Sequence, residues 1–472
     1  MGAALSTAPL GTAIRMHRLS TTVGSALVSA EQPGQPEQRH SWDAAIWRLA
    51  IPAFGALVAH PLFLLTDAAI VGTLGTTPLA GLGAATTVVA TVVGLAIFLA
   101  YATTASVARR LGAGDRAGAL DQGIDGMVLG LGLGGVLAII VWFTAEPIVS
   151  ALGTSAAATD QAVIYLRIVA VSMPAMLGVL AGVGVLRGLQ DTKTTLYVTL
   201  AQVGLNLVLS VLLVLVLDFG IAGSAIGTAA AEALGLLAYG FVIIRLARRV
   251  GSRLRPSGAG VLLAVRDGVP LFIRTIALRV VFLVAAAVAA RLGDDTLAAW
   301  HVTSTLFFTL ALTLDALAIA GQALLGRTLG AGDVDASRYV TRRLMWWSTF
   351  LGIGLTVLVL LVRPWLPGWF SDDAAVIAMI SSALIVLAVQ QPLAGITFAL
   401  DGILIGAGDM RFLAIAQTLV MVLFLPAAWL VLNADLGLDG LWWAMAWFLL
   451  VRAIILGWRA KGSAWLVTGS TR

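Results

Sequence analysis

The 472-residue chain contains no cysteine, only four histidines and few charged residues, which make up 11% of the sequence. Without cysteine it forms neither disulfides nor thiolate metal sites, and four histidines leave little for a histidine-rich metal centre. Hydrophobic residues reach 60%, far above the share in a soluble domain. Apolar runs of about 20 residues, enough to cross a bilayer as a helix, recur from Ile46 to Trp458. The composition therefore indicates a polytopic α-helical membrane protein.

The chain has a net charge of +5, which does not indicate a nucleic-acid partner here. Membrane proteins keep an excess of Lys and Arg in their cytoplasmic loops, and such an excess explains the sign. Residues 1–44 differ from the rest, because the stretch SAEQPGQPEQRH within them is polar and contains proline. We expect this tail to be disordered and assign it no function.

Breaks between the apolar runs predict about twelve transmembrane spans. With the N-terminus inside, 23 of the 29 Lys and Arg residues fall in inner segments, and only Arg291 and Arg363 fall in outer loops. This bias predicts a multi-pass protein of the cell membrane with both termini in the cytoplasm. The predicted spans are 46–71, 80–107, 123–146, 161–186, 195–217, 222–245, 264–290, 297–326, 342–365, 376–405, 412–433 and 439–459.

The pentapeptide LGAGD occurs twice, beginning at Leu111 and at Leu329, 218 positions apart. The same offset places Pro52 on Pro270, Pro174 on Pro392 and Arg109 on Arg327 without a gap. Neither copy continues into the Gly-Lys-Ser/Thr of a phosphate-binding loop. The chain is therefore predicted to be two parallel six-helix lobes, an arrangement typical of transporters. The predicted boundaries are 45–245 for the N-lobe, 246–263 for a cytoplasmic linker, 264–459 for the C-lobe and 460–472 for a cytoplasmic tail.

Ionisable side chains inside spans are costly, so each is a functional candidate. Asp67, in HPLFLLTDAAIVG, is the sharpest case, and His60 lies seven residues earlier on the same helical face. Burial disfavours the charged form of a carboxylate, so Asp67 could load and release a proton. Pro61, between the two, should soften the helix and let a change of charge become a bend.

Asp315 and Asp401 are the other aspartates within spans. At the 218 offset the positions matching Asp67, Asp315 and Asp401 are apolar, which favours specialised roles over shared packing. For Glu232, Arg274 and Arg279, pairing inside the protein and contact with substrate both remain open, and Arg452 is expected to snorkel to the inner surface. Three residues, Gln202, Asn206 and Ser210, form a polar stripe on one helix that serves either as interhelical glue or as cavity lining.

These residues give the chain a resemblance to the multidrug and toxic compound extrusion (MATE) transporters, in particular to their DNA-damage-inducible (DinF-like) branch. The resemblance covers about 45–460 and depends on the order and spacing of several stretches rather than on one motif. The stretches are IPAFGALVAHPLFLLTDAAIVGTLG, LRGLQDTKT, GLNLVLSVLLVLVLDFGIAGSAIGTAAAE, TLDALAIAGQALLGR and FALDGILIGAGDMR.

The resemblance implies export of organic, often cationic compounds in exchange for H⁺ or Na⁺. The family's ion-coupling acid maps onto Asp67, and the asparagine of its fifth transmembrane span maps onto Asn206. Many relatives carry Asp four residues further on, where this chain has Ser210, and the missing carboxylate favours H⁺ over Na⁺. Asp315 and Asp401 match acids common in this branch. Asp67 is thus the predicted ion-coupling residue. The cavity and substrate candidates are His60, Gln202, Asn206, Ser210, Asp315 and Asp401.

Several other classes of protein compete with this interpretation. The main alternative is a lipid-linked oligosaccharide flippase of the wider superfamily, although twelve spans and few embedded arginines disfavour it. A major-facilitator carrier would show a different sequence signature in the loop between the second and third spans. A channel is disfavoured because duplicated lobes are more typical of a carrier. A membrane-embedded enzyme needs a nucleophile with a base, or a metal site, and the sequence offers neither. We therefore expect no catalysis, no metal and no cofactor, and a monomer whose partners are small organic substrates and the bilayer.

Overall fold

The computed structural model describes residues 38–471, with side chains described from Ser41 onward. Residues 1–37 of the predicted tail lie outside the described residues, and residues 38–44 belong to the first helix, so the expectation of disorder is wrong for them. The first part of the described chain, termed the N-lobe, contains α1 to α8. These helices are α1 (Gln38–Gly72), α2 (Thr76–Ala96), α3 (Phe98–Gly112), α4 (Arg116–Ser150), α5 (Ala156–Ala170), α6 (Met173–Gly188), α7 (Thr192–Ser210), which continues as a π-helical turn (Val211–Val216), and α8 (Gly220–Arg249).

The second part, termed the C-lobe, follows an eight-residue connection and contains α9 to α15. A short 3₁₀ turn, Pro367–Trp369, precedes α12. Residues 462–471 follow the last helix. The helices are α9 (Gly258–Arg291), α10 (Asp294–Gly330), α11 (Val334–Val362), α12 (Ala374–Val389), α13 (Gln391–Gly406), α14 (Met410–Asn433) and α15 (Gly437–Lys461).

The helices confirm the prediction of about twelve spans. Within the described residues, ten helical stretches are long and apolar enough to cross a membrane. Two further pairs count as one bent span each, α5 with α6 at 56° and α12 with α13 at 51°. Both bends occur where Pro174 or Pro392 enters the second position of the following helix. Proline cannot donate a backbone hydrogen bond and clashes with the preceding turn, so each span breaks there.

The two lobes repeat the same helix boundaries at the predicted offset of 218. Helices α2, α4, α5, α6 and α7 begin exactly 218 residues before α10, α11, α12, α13 and α14. The π-helical turn after Ser210 departs from this pattern, because α14 continues as a regular helix to Asn433. Such wide turns interrupt a helix locally and often lie at functional sites.

Each LGAGD pentapeptide ends one helix and begins the next. Gly114 and Gly332 have positive φ values of 81° and 79°, a conformation that glycine adopts at little cost. The following residues, Asp115 and Asp333, cap α4 and α11 by accepting hydrogen bonds of 2.8 Å from backbone N–H groups. The motif is therefore a helix-to-helix turn, and its aspartate satisfies donors that a helix start leaves open.

The lobes meet at the end of the bundle where α1 begins and α15 ends. This basic end is defined here by Arg109, Arg110, Arg327, Arg343 and Arg411. There α3 crosses α10 in a pseudo-symmetric contact between small residues: Gly112 lies against the backbone carbonyl of Arg327, and Gly330 against that of Arg109. Gly326 lies against Ala108, the residue that matches it in the repeat. Small residues allow such close approach of helices in a membrane.

Replacing Gly112 or Gly330 by Ala should destabilise this contact between the lobes. The added Cβ would collide with backbone rather than with a flexible side chain, and overpacking of this kind costs about 1–3 kcal/mol. Thermal unfolding in detergent measures the effect. Gly132→Ala is the matched control, because no atom lies near its added Cβ. Equal stability of all three variants would contradict the close crossing.

Candidate functional site

Asp67 is buried, at 2% exposure, near the end of α1 opposite the basic end. Its Oδ1 accepts a 2.6 Å hydrogen bond from Ser224 Oγ of α8 and lies 3.4 Å from Ser210 Oγ of α7. Its Oδ2 is buried and has no hydrogen-bond partner among the described residues. The carboxyl group is thus bound by neutral hydroxyls on one side only, and the structure describes no cationic side chain paired with it.

A ladder of polar pairs joins α7 to α8 and ends at Asp67. Gln202 Nε2 lies 3.4 Å from Glu232 Oε2. One turn further on, Asn206 Nδ2 donates to Thr228 Oγ1 at 3.1 Å. The third rung is the pair of serines that both reach Asp67. Residues four apart lie on one face of a helix. Because α7 and α8 run antiparallel, each step of four residues along α7 meets a step of four residues back along α8, and the polar pairs are evenly spaced. The predicted stripe therefore joins helices, and its last rung lies on the candidate acid.

Ser210 occupies the branching point of this network. Its Oγ lies 3.3 Å from Asn206 Oδ1 as well as 3.4 Å from Asp67 Oδ1. One hydroxyl has a single proton to donate, so Ser210 bonds either the amide or the carboxyl group. The π-helical turn Val211–Val216 begins at the next residue. Ser210 is therefore a switchable donor at the boundary between regular and widened helix.

Three residues of the network were missed by the sequence analysis: Ser224, Thr228 and Tyr165. Tyr165 OH lies 3.5 Å from Thr228 Oγ1 and brings α5 into the network. Ser224, Thr228 and the recognised Glu232 are spaced four apart on α8. This spacing repeats the one on α7, and it was the signal that could have found them.

His60 is not part of the network around Asp67. Its side chain is exposed, its ring centroid lies 6.0 Å from that of Phe63, and no hydrogen bond or ion pair to Asp67 is described. Nor do the described residues contain a group of three or more His, Asp or Glu side chains that could hold a metal ion. Next to Asp67 the site therefore consists of one carboxyl group, the amide of Asn206 and several hydroxyls, and the pair of Gln202 with Glu232 lies two rungs away.

The MatE family model matches the chain twice, at residues 52–212 and 270–430. The two matches are 218 residues apart, the offset of the internal repeat. The chain belongs to the MatE family of multidrug and toxic compound extrusion transporters. The suspected family, the two-repeat fold and the role as a membrane transporter are thereby confirmed.

Curated relatives support the same assignment. Protein DETOXIFICATION 43 of Arabidopsis thaliana is 32% identical over 349 residues, which cover 73% of this chain and 64% of the plant protein. The chain thus aligns with less than two thirds of that relative. DNA damage-inducible protein F of Escherichia coli is 28% identical over 89% of this chain and 92% of its own. This match agrees with the DinF-like branch.

Solved structures share the fold of this MatE-family transporter. A MATE crystal structure described as the bent conformation has a TM-score of 0.83 and 22% identity, covering 90% of this chain and 95% of that one. A transporter from Pyrococcus furiosus, described as having a binding pocket of reverse polarity, has a TM-score of 0.80 and 21% identity, with 91% and 98% covered. At these identities the likeness concerns the fold alone.

Asp401 lies in the C-lobe of the transporter, between two buried arginines. Arg274 of α9 binds both of its carboxylate oxygens, and Arg452 Nη2 of α15 lies 3.0 Å from Oδ1. Arg452 is only 5% exposed, so the expectation that it snorkels to the surface is wrong. The carboxylate holds it inside, because a buried guanidinium needs a counter-charge. Asp401 thus joins α9, α13 and α15, apart from the Asp67 network.

Asp315 lies half-buried on α10, near the plane where the lobes meet. The positive charges of Arg187 on α6 and Arg274 on α9 act on it, although no ion pair of Asp315 is described. Arg279 lies on the same plane, with its guanidinium against Gly94 of α2. Of the predicted site residues, the structure thus brings Asp67, Asn206, Ser210 and Gln202 together, while His60, Asp315 and Asp401 lie elsewhere.

Proposed function

We propose that this transporter exports small organic compounds, often cationic, by alternating access in exchange for H⁺, with Asp67 as the coupling acid. Relatives named for detoxification and for multidrug resistance support a broad organic substrate class. The observation that carries the proposal is the environment of Asp67. It is a buried carboxyl group with an unpaired oxygen, and hydroxyls are its hydrogen-bond partners.

This environment favours a proton over Na⁺ as the coupling ion. Burying a charge without a partner costs far more than burying a hydrogen-bonded neutral group, so a proton on Oδ2 relieves the site. A hard cation prefers several oxygen ligands and counter-charges. The rung at Asp67 supplies one carboxylate, because Glu232 lies two rungs away, and Ser210 stands where a second carboxylate would strengthen cation binding.

The arrangement of the lobes supports an outward-facing state. The excess of Lys and Arg assigns the basic end to the cytoplasm, with both termini on that side of the cell membrane. The described contacts between the lobes lie at that end or near the middle, from Trp47 against Trp347 to Gly94 against Arg279. Asp67 lies toward the opposite end, where a proton arrives from outside.

Helix α1 supplies the moving part. It runs unbroken from Gln38 to Gly72 through Pro52 and Pro61, and each proline removes one backbone hydrogen bond that would resist bending. Loading Asp67 weakens its hold on the hydroxyls of α7 and α8, and α1 then bends into the N-lobe and displaces the substrate. A bent conformation is described for a MATE transporter of the same fold.

The proposal is tested with purified protein in liposomes. Efflux of a panel of organic dyes is followed under an imposed pH gradient, an imposed Na⁺ gradient or neither. We expect the pH gradient alone to drive dye movement, with protons moving in the opposite direction. If the Na⁺ gradient alone stimulates dye movement, Na⁺ and not H⁺ is the coupling ion. If the dyes move under neither gradient, coupled export of these compounds is contradicted.

Ser224→Ala should change the pH dependence of transport more than Ser210→Ala. Ser224 makes the shorter bond to Asp67, whereas Ser210 shares its proton with Asn206. A hydrogen bond to a charged group contributes about 1.5–3 kcal/mol. Its loss disfavours the charged carboxylate, so the pH–rate profile should move about one to two pH units toward alkaline pH. Dye efflux measured across a pH series compares the two variants. A larger shift in Ser210→Ala would contradict the ranking.

A further inference from the structure

The segment after α15, residues 462–471, folds back across the basic end. Trp465 is 1% exposed, and its Nε1 lies within hydrogen-bond distance of the carbonyl oxygens of Ala460 and Gly462, at 2.9 and 3.0 Å. The indole therefore anchors the segment beneath the end of α15. Residues 462–471 are termed the strap.

The strap binds the N-lobe through Arg109 of α3. This arginine is 2% exposed. Its Nη2 donates to the carbonyl of Val467 at 2.7 Å, and the carbonyl of Thr471 is 3.5 Å away. Its Nη1 donates to the carbonyl of Ala407 in the C-lobe at 2.9 Å. Hydrogen bonds from a charged donor are stronger than neutral ones, so one side chain joins the N-lobe to two parts of the other half.

A backbone contact completes the attachment of the strap. Gly469 N–H donates to the carbonyl of Leu329 at 3.1 Å. Leu329 is the first residue of the second LGAGD pentapeptide, next to the glycine that crosses Arg109. The strap therefore covers the point where α3 and α10 cross, and it contacts both helices.

The internal repeat shows what the strap adds. Arg327, the counterpart of Arg109, also reaches the other lobe, donating from Nη1 to Gln190 Oε1 at 2.8 Å. This second bridge is exposed, whereas the strap covers the first. The crossing itself is pseudo-symmetric, and within residues 38–471 the strap is an additional layer on its Arg109 side.

We infer that the strap is a conformational latch, which keeps the basic end closed and must release Arg109 before that end opens. The inference rests on the proposed alternating access, because only a cycle that separates the lobes here would break these contacts. Opening moves Arg109 away from Ala407, and the strap cannot follow it while Trp465 stays beneath α15. Closure at this end therefore depends on a segment outside the repeated helices.

Distances between spin labels test the latch without measuring transport. The chain has no cysteine, so in a variant with both Ala113→Cys and Ala331→Cys the spin label attaches to these two positions alone. Both residues are exposed and lie in matching turns on opposite lobes. Two latch variants are compared in this background. One lacks residues 464–472. The other is Gly469→Pro, which removes the donor to Leu329 and cannot adopt the φ of 107° found there. Thr468→Ala, an exposed position in the strap, is the control.

We expect both latch variants to raise the long-distance population at least about tenfold over the unmodified strap, while Thr468→Ala leaves it unchanged. If the deletion variant exposes apolar surface and aggregates in size-exclusion chromatography, the Gly469→Pro variant alone tests the latch, because it keeps Trp465. Unchanged distances in a folded latch variant would overturn the inference. Because the readout needs neither substrate nor gradient, a failed latch and a failed proton-coupling proposal give separate results.

Discussion

Asp67→Asn should abolish proton-coupled export while the protein remains folded. The amide is nearly the same size as the carboxyl group and can still accept from Ser224 and Ser210 through its oxygen, so the network of α7 and α8 keeps its shape. It cannot take up or release a proton in the working pH range. The variant is therefore expected to hold one conformation whatever the gradient. The measurement is dye efflux from liposomes under an imposed pH gradient, which should fall to the level of protein-free liposomes.

Two comparisons make this result specific to coupling. Asp160→Asn makes the same chemical change at an exposed position of α5 and should transport as the unmodified protein does. Thermal unfolding of Asp67→Asn should match or exceed that of the parent, because an unpaired buried oxygen is no longer charged. Export against a gradient at the parent rate would remove Asp67 from the coupling mechanism. A folding defect would instead show that the carboxylate stabilises the N-lobe.

The sequence predicts the fold closely because, in a membrane protein, the length and apolarity of each segment are nearly sufficient to identify the transmembrane helices. The spans, the two lobes and the offset of 218 are all present in the structure, and the aligned Pro174 and Pro392 even coincide with the two bends. The π-helical turn after Ser210 was not predictable. The apolar run there is compatible with backbone hydrogen bonds to the fourth or to the fifth preceding residue. Its composition therefore does not distinguish an α-helix from a π-helix.

The candidate site was predictable along helices and not across them. Asp67 and the stripe on α7 stand out because single polar residues are conspicuous in apolar helices. Ser224 and Thr228 do not, since small hydroxyl residues are also common packing residues between membrane helices. Only the matching four-residue spacing on α7 and α8 distinguishes them, and it has meaning once the two helices are known to pack together. The pairing of Asp401 with Arg274 and Arg452 joins three helices far apart in sequence, which no local pattern encodes.

Asp401→Asn should destabilise the transporter strongly, through the arginines it leaves behind. Arg274 and Arg452 are 6% and 5% exposed, and their shared counter-charge is Asp401. Removing one partner of a buried ionic group leaves an uncompensated charge and costs about 3–5 kcal/mol. Thermal unfolding in detergent measures the loss. Asp435→Asn, at an exposed position, is the matched control and should change stability little.

The two roles open to Asp401, holding the C-lobe together and contacting the substrate, make different predictions for a compensated variant. Replacing a whole buried ionic group by apolar residues of similar size is often neutral or stabilising, so Asp401→Leu with Arg274→Met and Arg452→Met should regain most of the stability lost in Asp401→Asn. If that protein also exports dye, the cluster serves the fold of the C-lobe alone. If it is stable yet inactive, the three charges take part in transport. A single Asp401→Asn variant as stable as its parent would contradict the buried cluster itself.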